Sequence, residues 1–256
     1  MVKSGKKYTI VGNWKMNPDT LDDAKKIFSA ISRRVSKYSK VHKVIAPPAP
    51  FITTLAGKKI SLCAQDVSSE PRGARTGSIS ALEVKSAGAN FVIIGHSERR
   101  AAGDSDEIIS KKVSLALAAG LRVILCVGET QRDGHAMYLR EVREQIVSVF
   151  SVLPDKKSAQ WITVAYEPVW AVGGSYENTP KPGDIHEMVI FIKKVVSEIL
   201  DKKTGLRTPV FYGGSLDSEN ALTILRDGAV DGLLVGRQSL DPVAFAKIIE
   251  HANKLS

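Results

Sequence analysis

Short apolar segments rich in β-branched residues recur along this chain, and their number and spacing limit its fold more than any other feature. Most of them are continuous apolar runs, which are typical of parallel strands covered on both faces. The eight segments are YTIVGNW (8–14), KVIAPP (43–48), ISLCAQD (60–66), FVIIGHS (91–97), RVILCVGE (122–129), ITVAYEP (162–168), PVFYGG (209–214) and GLLVG (232–236).

Amphipathic helical patterns separate these segments. Asp19 or Thr20 is placed to cap the first helix, and the last would begin with Asp241 as N-cap and Pro242 as its first residue. Apolar faces of three helices are predicted at Leu21, Ala24, Ile27, Phe28, Ile31 and Val35, at Val113, Leu115, Leu117 and Ala118 before Gly120, and at Val142, Ile146 and Val149.

The repeating strand and helix units indicate the architecture. Eight units over 256 residues average 32 residues each, which fits one closed (β/α)8 barrel covering residues 1–256 as a single domain. The structural rival, a doubly wound open sheet, usually carries a glycine-rich phosphate loop after its first strand. Here that strand is followed by GNWKMNPDT (12–20), and no linker-like stretch suggests a second domain. We therefore predict the α/β barrel.

Composition excludes several classes of protein. No run approaches the roughly 20 apolar residues of a membrane span, and the N-terminal MVKSGKKYTI has no apolar signal-peptide segment. We therefore expect a cytoplasmic protein without membrane contact. The net charge is +9, but the basic residues are scattered and alternate with acids, so nucleic-acid binding is not favoured. A positive field favours a small anionic substrate.

The two cysteines also fit a cytosolic protein. Cys63 and Cys126 lie within apolar runs and far from any metal-ligand spacing, so we predict two buried, reduced thiols. No His, Cys or Asp cluster has the spacing of metal ligands either, which leads us to expect no metal ion.

Polar residues follow several predicted strands, at the ends where (β/α)8 barrels carry their chemistry. Asn13 and Lys15 follow the first strand, His96 the fourth and Glu167 the sixth. The seventh and eighth run into GGS (213–215) and GRQS (236–239). Each alone has a simpler interpretation: a solvated lysine, a helix-capping histidine, a loop carboxylate, tight turns. It is improbable that these polar residues would follow five different strands at one barrel mouth by coincidence.

These residue types form a consistent chemical set. A carboxylate can abstract a carbon-bound proton while an imidazole and an ammonium polarise the adjacent carbonyl. Small residues after the last two strands expose backbone N–H groups that suit a phosphate. The set implies proton abstraction next to a carbonyl on a small phosphorylated substrate.

Five motifs resemble those of the triosephosphate isomerase family: GNWKMN (12–17), IIGHSERR (93–100), CVGET (126–130), AYEPVWA (165–171) and YGGS (212–215). They occur in order, at family-like intervals, over essentially the whole chain. The resemblance implies a TIM barrel that interconverts dihydroxyacetone phosphate and glyceraldehyde 3-phosphate through an enediolate. It places the enzyme in glycolysis and gluconeogenesis and implies no cofactor.

The resemblance also implies roles for individual residues. Glu167 would be the base that moves the proton between two carbons, and His96 the electrophile at the carbonyl oxygens, with the neutral imidazole that is known in this family. Lys15 would supply positive charge to the phosphate and the oxyanion, and Asn13 would hold the oxygen side of the substrate. Glu98 would hold Lys15 or the neighbouring loop in place.

Phosphate binding and assembly are implied in the same way. The phosphate would sit on backbone amides of Gly173, Ser215, Gly236 and Arg237. The family is typically a homodimer, in which GARTGS (73–78) would enter the neighbouring subunit and Thr76 would reach its active site.

Three positions depart from the family pattern. The lid tip reads GGSYEN (173–178) where Gly-Thr-Gly-Lys-Thr-Ala is usual, and Arg237 stands where the family has a second glycine. Ser78 stands where a glutamate commonly pairs with the arginine equivalent to Arg99, so Arg99 needs another partner. Two alternative functions stay open: an isomerase of another, larger phosphosugar, and a non-catalytic barrel that binds an acidic partner.

Overall fold

Eight parallel strands close into a barrel in which each strand pairs with its sequence neighbours and β1 pairs with β8. The computed structural model describes residues 7–132, 137–171 and 180–256. Each strand falls within one predicted segment or begins one residue before it, so the predicted (β/α)8 TIM barrel is confirmed. The strands are β1 Thr9–Asn13, β2 His42–Ala46, β3 Ser61–Ala64, β4 Phe91–Ile94, β5 Arg122–Val127, β6 Ile162–Tyr166, β7 Val210–Tyr212 and β8 Gly232–Val235.

Helices alternate with the strands. Those in the described ranges are α1 Leu21–Val35, α2 Ile52–Leu55, α3 Ala81–Ser86, α4 Ser97–Ala101, α5 Asp106–Ala118, α6 Met137–Phe150, α7 Pro182–Ile199, α8 Lys202–Arg207, α9 Asn220–Asp227 and α10 Pro242–Leu255. Short 3-10 turns also occur, including Val169–Ala171 after β6 and Arg237–Leu240 after β8. No helix in the described ranges is both long and apolar enough to cross a membrane.

Helix boundaries follow local sequence signals. The Thr20 hydroxyl accepts a hydrogen bond from the Asp23 amide, which selects Thr20 over Asp19 as the cap of α1. Asp241 caps α10, and Pro242 is its first residue, as predicted. One predicted face is partly wrong, because Ala118 of α5 is exposed. The buried face runs through Ile109, Val113 and Ala116, the spacing that a 3.6-residue repeat requires.

The core has two layers, because successive strand residues point alternately into the barrel and out towards the helices. The larger layer lies between barrel and helices, and the smaller is contributed by strand residues alone. The smaller cluster comprises Val11, Val44, Ala46, Cys63, Phe91, Ile93, Ile124, Cys126, Ala165, Phe211 and Leu234. Both cysteines in it are free and buried, which confirms the expectation of buried thiols.

A buried ion cluster links the segment after β3 to α4 and α5. The Lys112 ammonium, only 3% exposed, donates to Asp66 at 2.8 Å and to Asp104 at 2.5 Å. The Arg99 guanidinium lies 3.0 Å from Asp66 and 3.5 Å from Asp104. Asp66 and Asp104 of the same chain are thus the partners of Arg99. They take the place of the glutamate that Ser78 replaces.

We expect Lys112→Met to reduce the free energy of unfolding by about 3 kcal/mol, because the substitution leaves the partly buried carboxylates of Asp66 and Asp104 without their main cation. Arg99 remains beside both acids, which keeps the loss at the lower end of the usual range. Urea denaturation measures it. Lys111→Met is the matched control, since Lys111 is exposed and its salt bridge is with the exposed Glu107. Equal losses in the two variants would contradict a stabilising role for the buried cluster.

Candidate active site

The carboxyl ends of β1, β4 and β6 bring three buried polar side chains to one end of the barrel. Asn13 ends β1, His96 follows β4 and Glu167 follows β6 directly, and they are 6%, 7% and 2% exposed. Buried polar groups are costly unless they are paired. Their contacts therefore indicate how the site is organised.

Glu167 faces His96 across the barrel mouth. Its Oε1 lies 3.4 Å from His96 Nε2, and its Oε2 accepts a hydrogen bond from the Ser97 amide at 3.4 Å. Burial and the negative charge of Glu167 raise the pKa of the Cys126 thiol well above its usual range, so Cys126 stays neutral.

Two glycines, because they lack side chains, make room for Glu167. A Cβ on Gly213 would lie 2.8 Å from Glu167 Cγ, and one on Gly128 would lie 1.9 Å from the Glu167 carbonyl oxygen. The motifs YGGS and CVGET therefore contribute to the position of Glu167. Sequence reasoning assigned neither glycine this role, because the crowding arises between residues that are far apart in the chain.

His96 caps α4 through its own ring. Nδ1 accepts a hydrogen bond from the Glu98 amide at 3.2 Å. A nitrogen that accepts carries no proton, so Nε2 holds the N–H and presents it to Glu167 and the barrel mouth. The simpler interpretation of His96 as a helix cap is thus correct, and the cap also orients the ring.

Lys15 adopts a conformation that is rare for a residue with a side chain. Its φ is +52°, in the left-handed region, which costs about 1 kcal/mol or more without glycine. Hydrogen bonds hold it there: its amide donates to Asn13 Oδ1 at 3.1 Å, and its carbonyl accepts from the Gln65 side chain at 2.8 Å. The strained backbone therefore fixes the direction in which the Lys15 side chain leaves the main chain.

The Lys15 ammonium pairs with Glu98 Oε1 at 2.7 Å, the contact expected for Glu98. Burial raises the pKa of Glu98, but the hydrogen bond from Lys15 and the positive charge of Lys15 outweigh burial and lower it. Glu98 therefore stays ionised and keeps the cation of Lys15 at the site.

The ends of β7 and β8 border the same region. A Cβ on Gly236 would lie 3.9 Å from Lys15 Cε, which places the turn after β8 beside the lysine. Ser215 donates its hydroxyl to the Ala171 carbonyl at 2.6 Å, joining the loops after β7 and β6. Arg237 is exposed and is not among the residues with positive φ, so its side chain causes no backbone strain.

Gly173 and Thr76 are the two predicted site residues for which the described structure gives no contact with this mouth. Gly173 and the altered lid tip, residues 173–178, lie outside the described residues. Thr76 lies on the mostly exposed segment between β3 and α3, and its contact with a second subunit stays a prediction.

A second buried acid was missed by the sequence reasoning. Glu129, fully buried, accepts hydrogen bonds from the Tyr166 hydroxyl and from Trp170 Nε1, both at 2.8 Å. Its backbone carbonyl accepts from the Val169 amide at 3.0 Å. The hydrogen bonds of Glu129 therefore hold the segment that follows Glu167 in position. The available signal was an acid just past a strand end in CVGET, the same placement that singled out Glu167.

The mouth thus holds a carboxylate, an imidazole N–H and an ammonium with backbone amides beside them. Within the described ranges, no group of three or more His, Cys, Asp or Glu side chains is arranged to hold a metal ion. These groups can exchange a proton with a bound carbon acid and stabilise the oxyanion that results.

Comparison with known proteins agrees with this chemistry. Residues 8–252 match the family model described as triosephosphate isomerase. The triosephosphate isomerase of Symbiobacterium thermophilum is 37% identical over 245 residues, covering 93% of this chain and 94% of the relative. That of Aquifex aeolicus is 37% identical, covering 94% and 97%, and that of Coprinopsis cinerea 36% identical, covering 94% and 96%. A match of this extent, on a barrel with this mouth, shows that the chain belongs to the triosephosphate isomerase family.

Proposed function

We propose that this protein interconverts dihydroxyacetone phosphate and D-glyceraldehyde 3-phosphate, with Glu167 as the base. The observation that carries the proposal is the buried Glu167 carboxylate, 3.4 Å from His96 Nε2 at the mouth that also holds Lys15. Membership of the family supports the substrate, and the contacts of this site support the residue roles.

In the proposed reaction Glu167 takes a proton from the carbon next to the carbonyl, and the C–H electron pair forms the enediolate double bond. The His96 Nε2–H and the Lys15 ammonium stabilise the negative oxygen. The proton then returns to the neighbouring carbon. The hydroxyl proton moves from one oxygen to the other, so the reaction needs no oxidant or cofactor. Asn13 supports Lys15 through its side-chain oxygen.

The phosphate would bind to the backbone amides of Ser215, Gly236 and Arg237, with Gly173 adding another. The position of Gly236 beside Lys15 supports this assignment. We also propose that the whole chain acts as one catalytic domain, in a cytoplasmic homodimer with Thr76 at the interface. A solution mass measurement tests the assembly.

A coupled assay with glyceraldehyde 3-phosphate tests the activity directly. The purified chain should produce dihydroxyacetone phosphate and should prefer triose phosphates to longer sugar phosphates. The binding-only alternative requires a damaged site, whereas Asn13, Lys15, His96 and Glu167 are all present in their motifs. No turnover of either triose phosphate would refute the proposed function.

We expect Gly213→Ala to lower kcat about 100-fold with little loss of stability. The added methyl would meet Glu167 Cγ at 2.8 Å, and a displaced base loses the geometry that proton transfer requires. Steady-state kinetics and thermal unfolding measure the two effects. Gly183→Ala is the control, because its Cβ would meet nothing within 4 Å. A Gly213→Ala enzyme with unchanged kcat would show that Glu167 has room to move.

A further inference from the structure

The opposite end of the barrel carries a second pocket that the isomerase chemistry does not use. It is an open pocket of about 390 Å³ where β2, β3, β4 and β5 begin, a volume within the range of small-molecule sites. Its lining residues are His42, Ser61, Lys85, Asn90, Phe91, Gly120, Arg122 and Trp161. They include cations, neutral donors and aromatic rings, but no Asp or Glu.

The two cations of this pocket, Lys85 and Arg122, are exposed, and each makes one contact that limits its movement. The Arg122 guanidinium lies over the Trp161 ring, 4.9 Å from its centroid, a contact made through the face of the guanidinium rather than through its N–H groups. The Lys85 ammonium donates to the Gly120 carbonyl at 2.8 Å and keeps two further N–H donors. Preorganised donors bind with a smaller loss of entropy than mobile ones.

The wall around His42 is positively charged as well. His42 Nε2 lies 3.0 Å from the Ser61 hydroxyl, and its ring packs against Phe91 at 5.4 Å. Burial lowers the pKa of His42, and the charges of Lys7, Arg122 and Lys43 lower it further. Several cations therefore act on one half-buried ring without a carboxylate in the pocket wall, a field that favours an anion.

We propose that this pocket is a binding site for a small phosphate ester, separate from the isomerase site. Arg122 and Lys85 bind the phosphate, since a guanidinium and an ammonium match its several acceptor oxygens. The volume exceeds that of a bare phosphate. Phe91 and Trp161 also line the pocket, and aromatic rings suit a planar or apolar group on the ester.

Isothermal titration calorimetry with two probes, inorganic phosphate and adenosine monophosphate, tests the site. The titrations use the full chain carrying Lys15→Met, which weakens the phosphate site proposed at the barrel mouth. We expect both probes to bind, the ester more tightly. Adding Arg122→Ala should weaken both by at least ~10-fold, since hydrogen bonds between charged groups are the strong ones. Arg122→Lys should restore part of the loss.

Arg207→Ala is the matched control, because it removes the same charge from an exposed arginine that precedes β7 and does not line the pocket. It should leave both affinities unchanged. Without Lys15→Met, Arg122→Ala should retain full isomerase activity.

Binding of neither probe, or equal weakening by Arg207→Ala, would overturn the site. An ester that binds no better than phosphate would overturn the role of the aromatic wall. Because calorimetry measures binding without turnover, the result can be interpreted even if the proposed isomerase activity proves wrong.

Discussion

Glu167→Gln is expected to lower kcat by about 10³-fold or more, because the amide keeps the shape of the side chain but cannot accept the carbon-bound proton. The steric fit against Gly213 is preserved, so thermal stability should change little. Substrate affinity should also change little, because the substrate carbon that faces residue 167 is uncharged and contacts an amide as well as it contacts a carboxylate. The coupled assay measures kcat, and exchange of substrate hydrogen with deuterated water measures proton abstraction separately.

Two further variants make this result specific. Glu167→Asp keeps the carboxylate but withdraws it by one methylene, and we expect a loss of about 10²-fold from the misplaced base. Glu107→Gln removes a carboxylate from the exposed first turn of α5 and should leave kcat unchanged. If Glu167→Gln retained near-normal exchange of the substrate hydrogen, another group would have to be the base.

Lys15→Met is expected to lower kcat/KM by about 10² to 10³-fold, the usual loss when one preorganised stabiliser of an oxyanion is removed. Methionine is close to lysine in length and lacks the ammonium, so the substitution removes charge more than volume. Part of the loss should appear as a higher KM, because the same cation is proposed to bind the phosphate.

The control for Lys15→Met is Lys25→Met, which changes an exposed lysine on α1 that pairs with the exposed Asp22. Its kinetics should match the wild type. Glu98→Gln tests whether the carboxylate positions the ammonium: we expect a smaller loss than for Lys15→Met, in KM as well as kcat. An unaffected kcat/KM in Lys15→Met would show that the charge at the mouth comes from elsewhere.

The buried ion cluster and the site share structural elements. Asp66 follows Gln65, whose side chain holds the strained Lys15 carbonyl, and Arg99 lies on α4, the helix that His96 caps. The cluster therefore includes the neighbour of the residue that holds the Lys15 carbonyl, and an arginine on the helix that His96 caps. We infer that substitutions in it act on the geometry of the mouth as well as on stability.

The sequence by itself determined the barrel and the main residues of its mouth. Apolar runs mark parallel strands, and the polar residue that ends a run is local information, so Asn13, His96 and Glu167 could be placed without any contact being known. Capping residues such as Thr20 and Asp241 are equally local, since the side chain bonds an amide two or three residues away.

Only the tertiary structure decided how these side chains are held. Glu129 fastens Trp170 across 41 positions, Gly213 makes room for Glu167, and Arg99 pairs with Asp66 in place of the missing acid at residue 78. None of these contacts follows from spacing along the chain, because barrel closure brings together residues from different strands and loops. Strand periodicity specifies which residues reach the mouth, whereas three-dimensional packing specifies which of them touch.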